Sequence, residues 1–350
     1  MAGSGKKLLQ LSPSPHVATP TSAAALMRNA LVALVPAAIF GCVIFGLPAL
    51  LNIAVSVASA MIAEALFRRV LKQECRVKDL SAAVTGLVLA LEIPPATPGW
   101  MTALGAIFAV VVVKEFFGGL GSNVFNPALS ARAFLLMSFP AALTEWSKPN
   151  DLSAGLAGFD AVSAATPLNI IKQGGGIAGV ADSFGGAADY ASVIKTLFFG
   201  NRSGSTGETS ILLILAGAAY LLATKTIDWR APLAMIAAVA AGSLALGLDP
   251  LFGVLSGGVL FGAVFMATDY TTVPFTAKGK LLFGVGAGLI TALIRKWGAF
   301  PEGVTYGILI MNALTPFLNK LLSRKYGYAP KKKLFASAKT GAAEAKGAGK

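Results

Sequence analysis

The sequence is short of charge, of cysteine and of histidine, and each shortage closes a class of function. Only 13% of its 350 residues are Asp, Glu, Lys or Arg, about half the share of an ordinary soluble domain. At 55% hydrophobic residues and a mean hydropathy of +0.71, it carries far more apolar side chain than a water-soluble fold buries. Two cysteines, Cys42 and Cys75, cannot supply the four ligands of a private iron–sulfur cluster or structural zinc site. Inert thiols are the reading that remains, with a cluster shared with another chain as the alternative. The one histidine, His16, stands in a Ser/Pro/Thr-rich leader, which excludes a haem held by a histidine pair.

What is abundant is apolar sequence in blocks. They fall at about 29–46, 49–67, 80–92, 100–118, 127–140, 210–224, 231–247, 252–270, 281–294 and 303–319, most of them near the length that crosses a bilayer as a helix. The 39 glycines suit helices packed closely in lipid. The expected fold is an all-α polytopic membrane protein of about ten transmembrane helices. Its parts are a cytoplasmic leader (1–28), a first membrane repeat (29–140), an exported hydrophilic loop (141–209), a second membrane repeat (210–320) and a basic tail (321–350). The leader is no cleavable signal, because a long first span is followed at once by a second.

The net charge of +13 does not imply nucleic acid, since the positive residues sit at the ends of apolar blocks and in the tail. With both termini in the cytoplasm, 21 of the 29 Lys and Arg residues lie on the inner side and 6 on the outer. That is the bias membrane insertion favours, and it puts 141–209 outside. The halves also echo one another: Gly86–Pro95, followed by Thr97–Trp100, loosely parallels Gly258–Ala267, followed by Thr268–Phe275. Five spans per half would make the copies inverted, with broken helices near a midplane site.

Several local patterns fail inspection. Gly174–Gly179 matches a dinucleotide fingerprint but follows no strand, and Gly3–Lys7 lacks the spacing of a phosphate loop. Asn201-Arg202-Ser203 is a glycosylation triplet only in a eukaryote. Glu92, Lys114, Glu115, Arg132 and Asp269 lie in or at the ends of apolar blocks. Charges there pair with one another or line a polar pathway, and the sequence leaves both readings open.

One string in the exported loop offers chemistry. Asp160–Leu168 presents the Thr166 hydroxyl among small residues, just before Pro167, which favours an extended or turned chain. Lys114–Ala128 follows span four, and Met266–Pro274 closes span eight. Together with Ser163–Leu168 these segments resemble the D subunits of Rnf-type ion-translocating ferredoxin:NAD oxidoreductases and the related B subunits of sodium-pumping NADH:quinone oxidoreductases. The resemblance spans nearly all of 28–320. The short leader favours the Rnf type, because the quinone-reducing relatives carry a longer extension.

The resemblance implies FMN joined to Thr166 by a phosphoester bond and installed by a flavin transferase, with Ser163, Ala165, Pro167 and Leu168 as motif context. Ala164 stands where relatives often have Gly. It also implies a second, noncovalent flavin (riboflavin) in the membrane core. Glu92, Lys114, Asn123, Asn126 and Asp269 are the candidates for that flavin or for an ion path. The implied partners are the other subunits of the complex, including a second covalent flavoprotein, in a bacterial inner membrane, with Na⁺ or H⁺ as coupled ion. The competing class is a ten-span solute channel or permease, which leaves the Ser163–Leu168 string without a purpose.

Overall fold

The computed structural model describes residues 22–74, 76–149, 164–184, 189–200, 202–298 and 302–322. His16, Cys75, Ser163, Asn201 and the tail beyond 322 lie outside them. Among the described residues the fold is all-helical. The first half begins with α1 (Ala23–Phe45) and α2 (Leu47–Val70), joined by Gly46 alone at a φ of 70°, a conformation a side chain would resist. It continues through α3 (Ser81–Glu92), α4 (Gly99–Ile107), α5 (Pro127–Ser138) and α6 (Pro140–Thr144). Ile93-Pro94-Pro95 stops α3, because proline has no N–H to continue the ladder.

The long loop is partly helical, with α7 (Pro167–Lys172), α8 (Gly176–Ser183) and α9 (Tyr190–Phe199). The second half comprises α10 (Ile211–Ala223), α11 (Arg230–Ala245), α12 (Pro250–Leu255), α13 (Val259–Phe261), α14 (Ala277–Trp297) and α15 (Val304–Leu322). These boundaries fall within a few residues of the apolar blocks, except that the block at 252–270 is broken at Ser256–Gly258.

Among the described residues three helices, α1, α2 and α14, are long and apolar enough to cross a membrane. Their outward faces carry bare aliphatic side chains, such as Val32, Val35, Ile39 and Val43 on α1 and Leu281, Leu282, Val285 and Leu289 on α14. Surfaces of that kind belong in hydrocarbon; this is a membrane protein. Inside, α11 and α14 meet through small residues. A methyl group added at Gly284 would lie 2.8 Å from Ala234 Cβ, and one at Gly288 would lie 2.7 Å from Ala238 Cβ. Such close backbone approach replaces hydrophobic drive as the source of packing energy in lipid.

Residues 202–210, hydrophilic by composition, are buried throughout. They form a non-helical segment threaded between the halves, pinned where Gly207 N donates to Leu91 O at 2.8 Å.

Candidate functional site

Two helices run into wide π-type turns, and both turns lead to the same cavity. α4 changes to π geometry over Phe108–Glu115, with Phe116 N on Val111 O at 3.0 Å. α13 does so over Gly262–Met266, with Ala267 N on Gly262 O at 2.7 Å. Such turns recur at functional sites. The cavity beyond them is lined by Lys114, Asn123 and Asn126 from the first half and by Phe265, Thr268 and Asp269 from the second. Four of the residues singled out in the sequence, Lys114, Asn123, Asn126 and Asp269, therefore converge.

Each polar wall residue is fixed by its neighbours. Lys114 Nζ donates to Glu64 Oε1 at 2.7 Å and to Ser81 Oγ at 2.6 Å. Asn126 caps α5, its Oδ1 accepting from Ala128 N at 3.1 Å and Leu129 N at 3.3 Å, while its side-chain N–H groups donate to no described residue. Asn123 Nδ2 donates to Phe125 O at 3.0 Å. Asp269 Oδ2 accepts from the hydroxyls of Thr271 (3.2 Å) and Thr272 (3.3 Å).

A second recess adjoins the first, sharing Thr226, Asp269 and Tyr270 with it and continuing to Lys225, Arg230 and Lys280. The Tyr270 hydroxyl donates to Thr226 O at 2.5 Å between the two. At the recess wall Asp228 accepts from Lys280 and Arg230, both at 2.9 Å. Burial opposes its ionisation, and the hydrogen bonds from Lys280 and Arg230 more than offset this, holding its carboxyl below the ordinary value.

Glu92 does not join the cavity. It ends α3, a helix of 12 residues that starts at Ser81, so it stands roughly 16 Å along the axis from Ser81 and about 6 Å beyond Val88, the last α3 residue on the cavity wall. There it enters a buried cluster of three glutamates and three arginines. Arg132 lies 3.5 Å from Glu92, bonds Glu302, and donates to Thr305 Oγ1 at 2.9 Å. Arg202 donates to Leu255 O (2.9 Å) and Glu208 O (2.5 Å), and Arg295 to Gly253 O and Ser256 O. Both Glu92 oxygens, Glu208 Oε1 and Arg295 Nε have no hydrogen-bond partner among the described residues although they are fully buried.

Thr166 occupies a third place. It is the N-cap of α7, backbone extended (ψ 151°), with its hydroxyl oxygen accepting from Asn169 N at 3.3 Å and Pro167 in the first turn. The expected extended backbone before proline is present. The helix start is also legible in the sequence, since a threonine followed by proline is a common N-terminal pair. An open hydroxyl is not what the structure has, because Thr166 and Pro167 are buried. A methyl group placed on Gly257 would lie 3.6 Å from Leu168 Cδ2 and 3.0 Å from Arg295 Nη2. The threonine motif thus adjoins the arginine side of that cluster. Ala165 is exposed beside it.

Sequence reasoning missed Glu64, Ser81, Glu208, Arg295 and Glu302. Glu64 had a signal, a lone acid in the middle of the 49–67 block. Glu208 and Arg295 had none, because both lie in stretches that hydropathy assigns to polar loops.

Comparison with known proteins accords with this geometry. The profile of the NQR2, RnfD, RnfE family matches residues 10–327. The D subunit of the proton-translocating ferredoxin:NAD(+) oxidoreductase complex of Clostridium ljungdahlii is 42% identical over 322 residues, covering 90% of this chain and 95% of the relative. Its counterpart in the Na(+)-translocating complex of Acetobacterium woodii is 40% identical over 326 residues, covering 93% and 97%. The D subunit of the ion-translocating oxidoreductase complex of Escherichia coli K12 is 32% identical over 357 residues, covering 92% and 99%. The chain belongs to the NQR2, RnfD, RnfE family.

Proposed function

We propose that this chain is the D subunit of an ion-translocating ferredoxin:NAD oxidoreductase complex, holding FMN on Thr166 and a second, noncovalent flavin in the cavity between the two π turns. The observation that carries the reading is the convergence of Lys114, Asn123, Asn126 and Asp269, drawn from both halves, on one cavity in a chain of this family. The competing reading, a solute channel, does not account for the family match.

The residues suit the groups. An isoalloxazine has a flat apolar body and a polar edge. Phe265 and Val88 offer the first surface, and Asn126, Lys114 and Thr268 offer hydrogen-bonding groups. At Thr166 only the hydroxyl oxygen is engaged, as an acceptor. Replacing its hydrogen by a phosphoryl group therefore leaves the helix cap intact. The burial of Thr166 means that the loop around it must open for a flavin transferase to act. When bound, flavins take up electron pairs and release them singly. The chain's own task is to hold them at fixed positions, exclude bulk water, and couple their change of charge to a polar path that includes Asp269.

In this reading the ten apolar blocks are ten spans in two inverted repeats, and the matched breaks are those of the third and eighth blocks, after Glu92 and at Ser256–Gly258. The protein sits in a bacterial inner membrane with both termini inside and the Thr166 segment outside. It works with the remaining Rnf subunits, one of them a second covalent flavoprotein. The test is ultraviolet fluorescence of the denatured band, from cells that also make the transferase. A fluorescent wild type and a dark Thr166→Ala band are expected. A dark wild-type band overturns the tether.

A further inference from the structure

At the start of α3 the hydrogen bonds form an unbroken line from the protein surface to the cavity. Asp79, half-buried in the loop before α3, accepts from Ser81 Oγ at 2.5 Å and from Ser81 N at 2.8 Å. Ser81 Oγ in turn accepts from Lys114 Nζ at 2.6 Å, and both Ser81 and Lys114 line the cavity. Lys114 is 2% exposed. It is the one cation among the described cavity-lining residues, and Asp269 is the one anion.

A purely structural ion pair needs only Lys114 and Glu64. The bonds to Ser81 and onward to Asp79 satisfy a second of the three ammonium N–H donors and tie the start of α3 to Asp79. They also make a chain of three exchangeable groups with no gap that would require a water. Such chains move protons by short hops, each group giving one proton forward and receiving one from behind. We infer that Asp79, Ser81 and Lys114 form a proton relay that delivers protons from the side of the membrane bearing the α2–α3 loop to an electron-accepting group in the cavity.

This rests on the reading that the cavity holds a flavin. The balance is simple. For each electron the complex's low-potential donor puts on the isoalloxazine, one proton leaves Lys114 Nζ for the ring. The Asp79 carboxylate takes a proton from water and passes it to Ser81 Oγ as the Ser81 hydroxyl turns to give its own proton to the amine, which leaves Asp79 a carboxylate again. One electron and one proton enter the cavity together, so the low-dielectric site gains no net charge. The charged groups around Lys114 are Glu64 and Arg68 from α2, Asp79 before α3, its own neighbour Glu115, and Asp269 across the cavity. Glu64 holds the ammonium in place between transfers, with Oε1 at 2.7 Å.

The test uses the assembled complex, purified as wild type and as Ser81→Ala, Ser81→Thr and Asp79→Asn. Noncovalent flavin is counted after acid extraction, and its reduction by dithionite is followed by stopped-flow absorbance between about pH 6 and 9, with and without imidazole. Ser81→Ala and Asp79→Asn should slow the proton-coupled phase about 100-fold while keeping full flavin content. Ser81→Thr should restore the rate, and so should imidazole, a small proton carrier that bypasses the chain. A structural role for Ser81 is not rescued by imidazole. Full flavin with wild-type rates in both Ser81→Ala and Asp79→Asn overturns the relay alone. Asp79→Asn lies outside the cavity, so it decides the matter if Ser81→Ala disturbs binding. No extractable flavin in the wild type overturns the cavity reading, and the relay with it.

Discussion

The two ends of α3 hold buried charge in opposite ways. At its start, Lys114 contacts Glu64 and Ser81 within 2.7 Å, and Ser81 is itself tied to Asp79. At its end, Glu92 is buried completely with neither oxygen hydrogen-bonded to a described residue, and Arg132 stands off at 3.5 Å. At the first end the buried ion itself is wired; at the second the arginines are hydrogen-bonded to carbonyls, Thr305 and Glu302, and Glu92 alone is held by field. Burying charge costs several kcal/mol per ion unless geometry and hydrogen bonds repay it. The start of α3 therefore behaves as a set of directional contacts, and its end as an electrostatic balance among six groups that tolerates the loss of some members and not others.

Substitutions can break that contrast. Arg132→Met should have the largest effect, because it leaves Glu92 and Glu302 without their shared cation. A loss of about 3–5 kcal/mol is expected, read as the fraction folded against SDS. Glu64→Gln should follow, costing about 3 kcal/mol by leaving Lys114 without its counter-ion. Glu92→Gln should stay within about 1 kcal/mol of wild type. Equal losses for the two glutamine variants would erase the distinction between the ends. Gly258→Ala comes next, at about 1–3 kcal/mol. Its methyl group would sit 3.2 Å from Glu208 Cδ, inside the cluster around Glu92 and away from the cavity, so noncovalent flavin content should not change.

The smallest effect is expected at the recess, where Asp228 pairs with Arg230 and Lys280 near solvent. Asp228→Asn should cost less than about 1 kcal/mol and lose even that at high salt. The folded carboxyl titrates below its ordinary 3.8, so its contribution is present above that pH and fades as the pH falls through the folded value. Melting curves of wild type and variant should converge in acid.

The apolar helices are legible because long apolar runs leave few alternatives, and α1, α2, α10 and α11 lie within a few residues of their expected blocks. The cavity is half legible. Lys114 and Asp269 stand out as charges in apolar sequence, and Asn126-Pro127 announces the start of α5. What no single stretch reveals is that these residues meet, because that depends on how the halves pack. Glu92 misleads for the same reason: its oddity is real, but its partners Arg132, Glu208 and Glu302 lie at the other end of α3. Composition makes residues 202–210 a polar loop, because it does not show that Arg202 satisfies two buried carbonyls there.

The π turn at Phe108–Glu115 also fixes how long the chain must be. Lys114 and Glu115 are consecutive, yet they pair with Glu64 and Arg68, which stand one full turn apart on α2. An α-helix rotates about 100° per residue, so regular winding would carry the later side chains away from those partners. The wide turn absorbs the surplus residue and keeps both pairs in register. Deleting one residue between Val110 and Val113 would let the ladder relax to ordinary winding and swing the ammonium off the cavity wall. A one-residue gap there would look harmless in the sequence, while the wall of the cavity lost its cation.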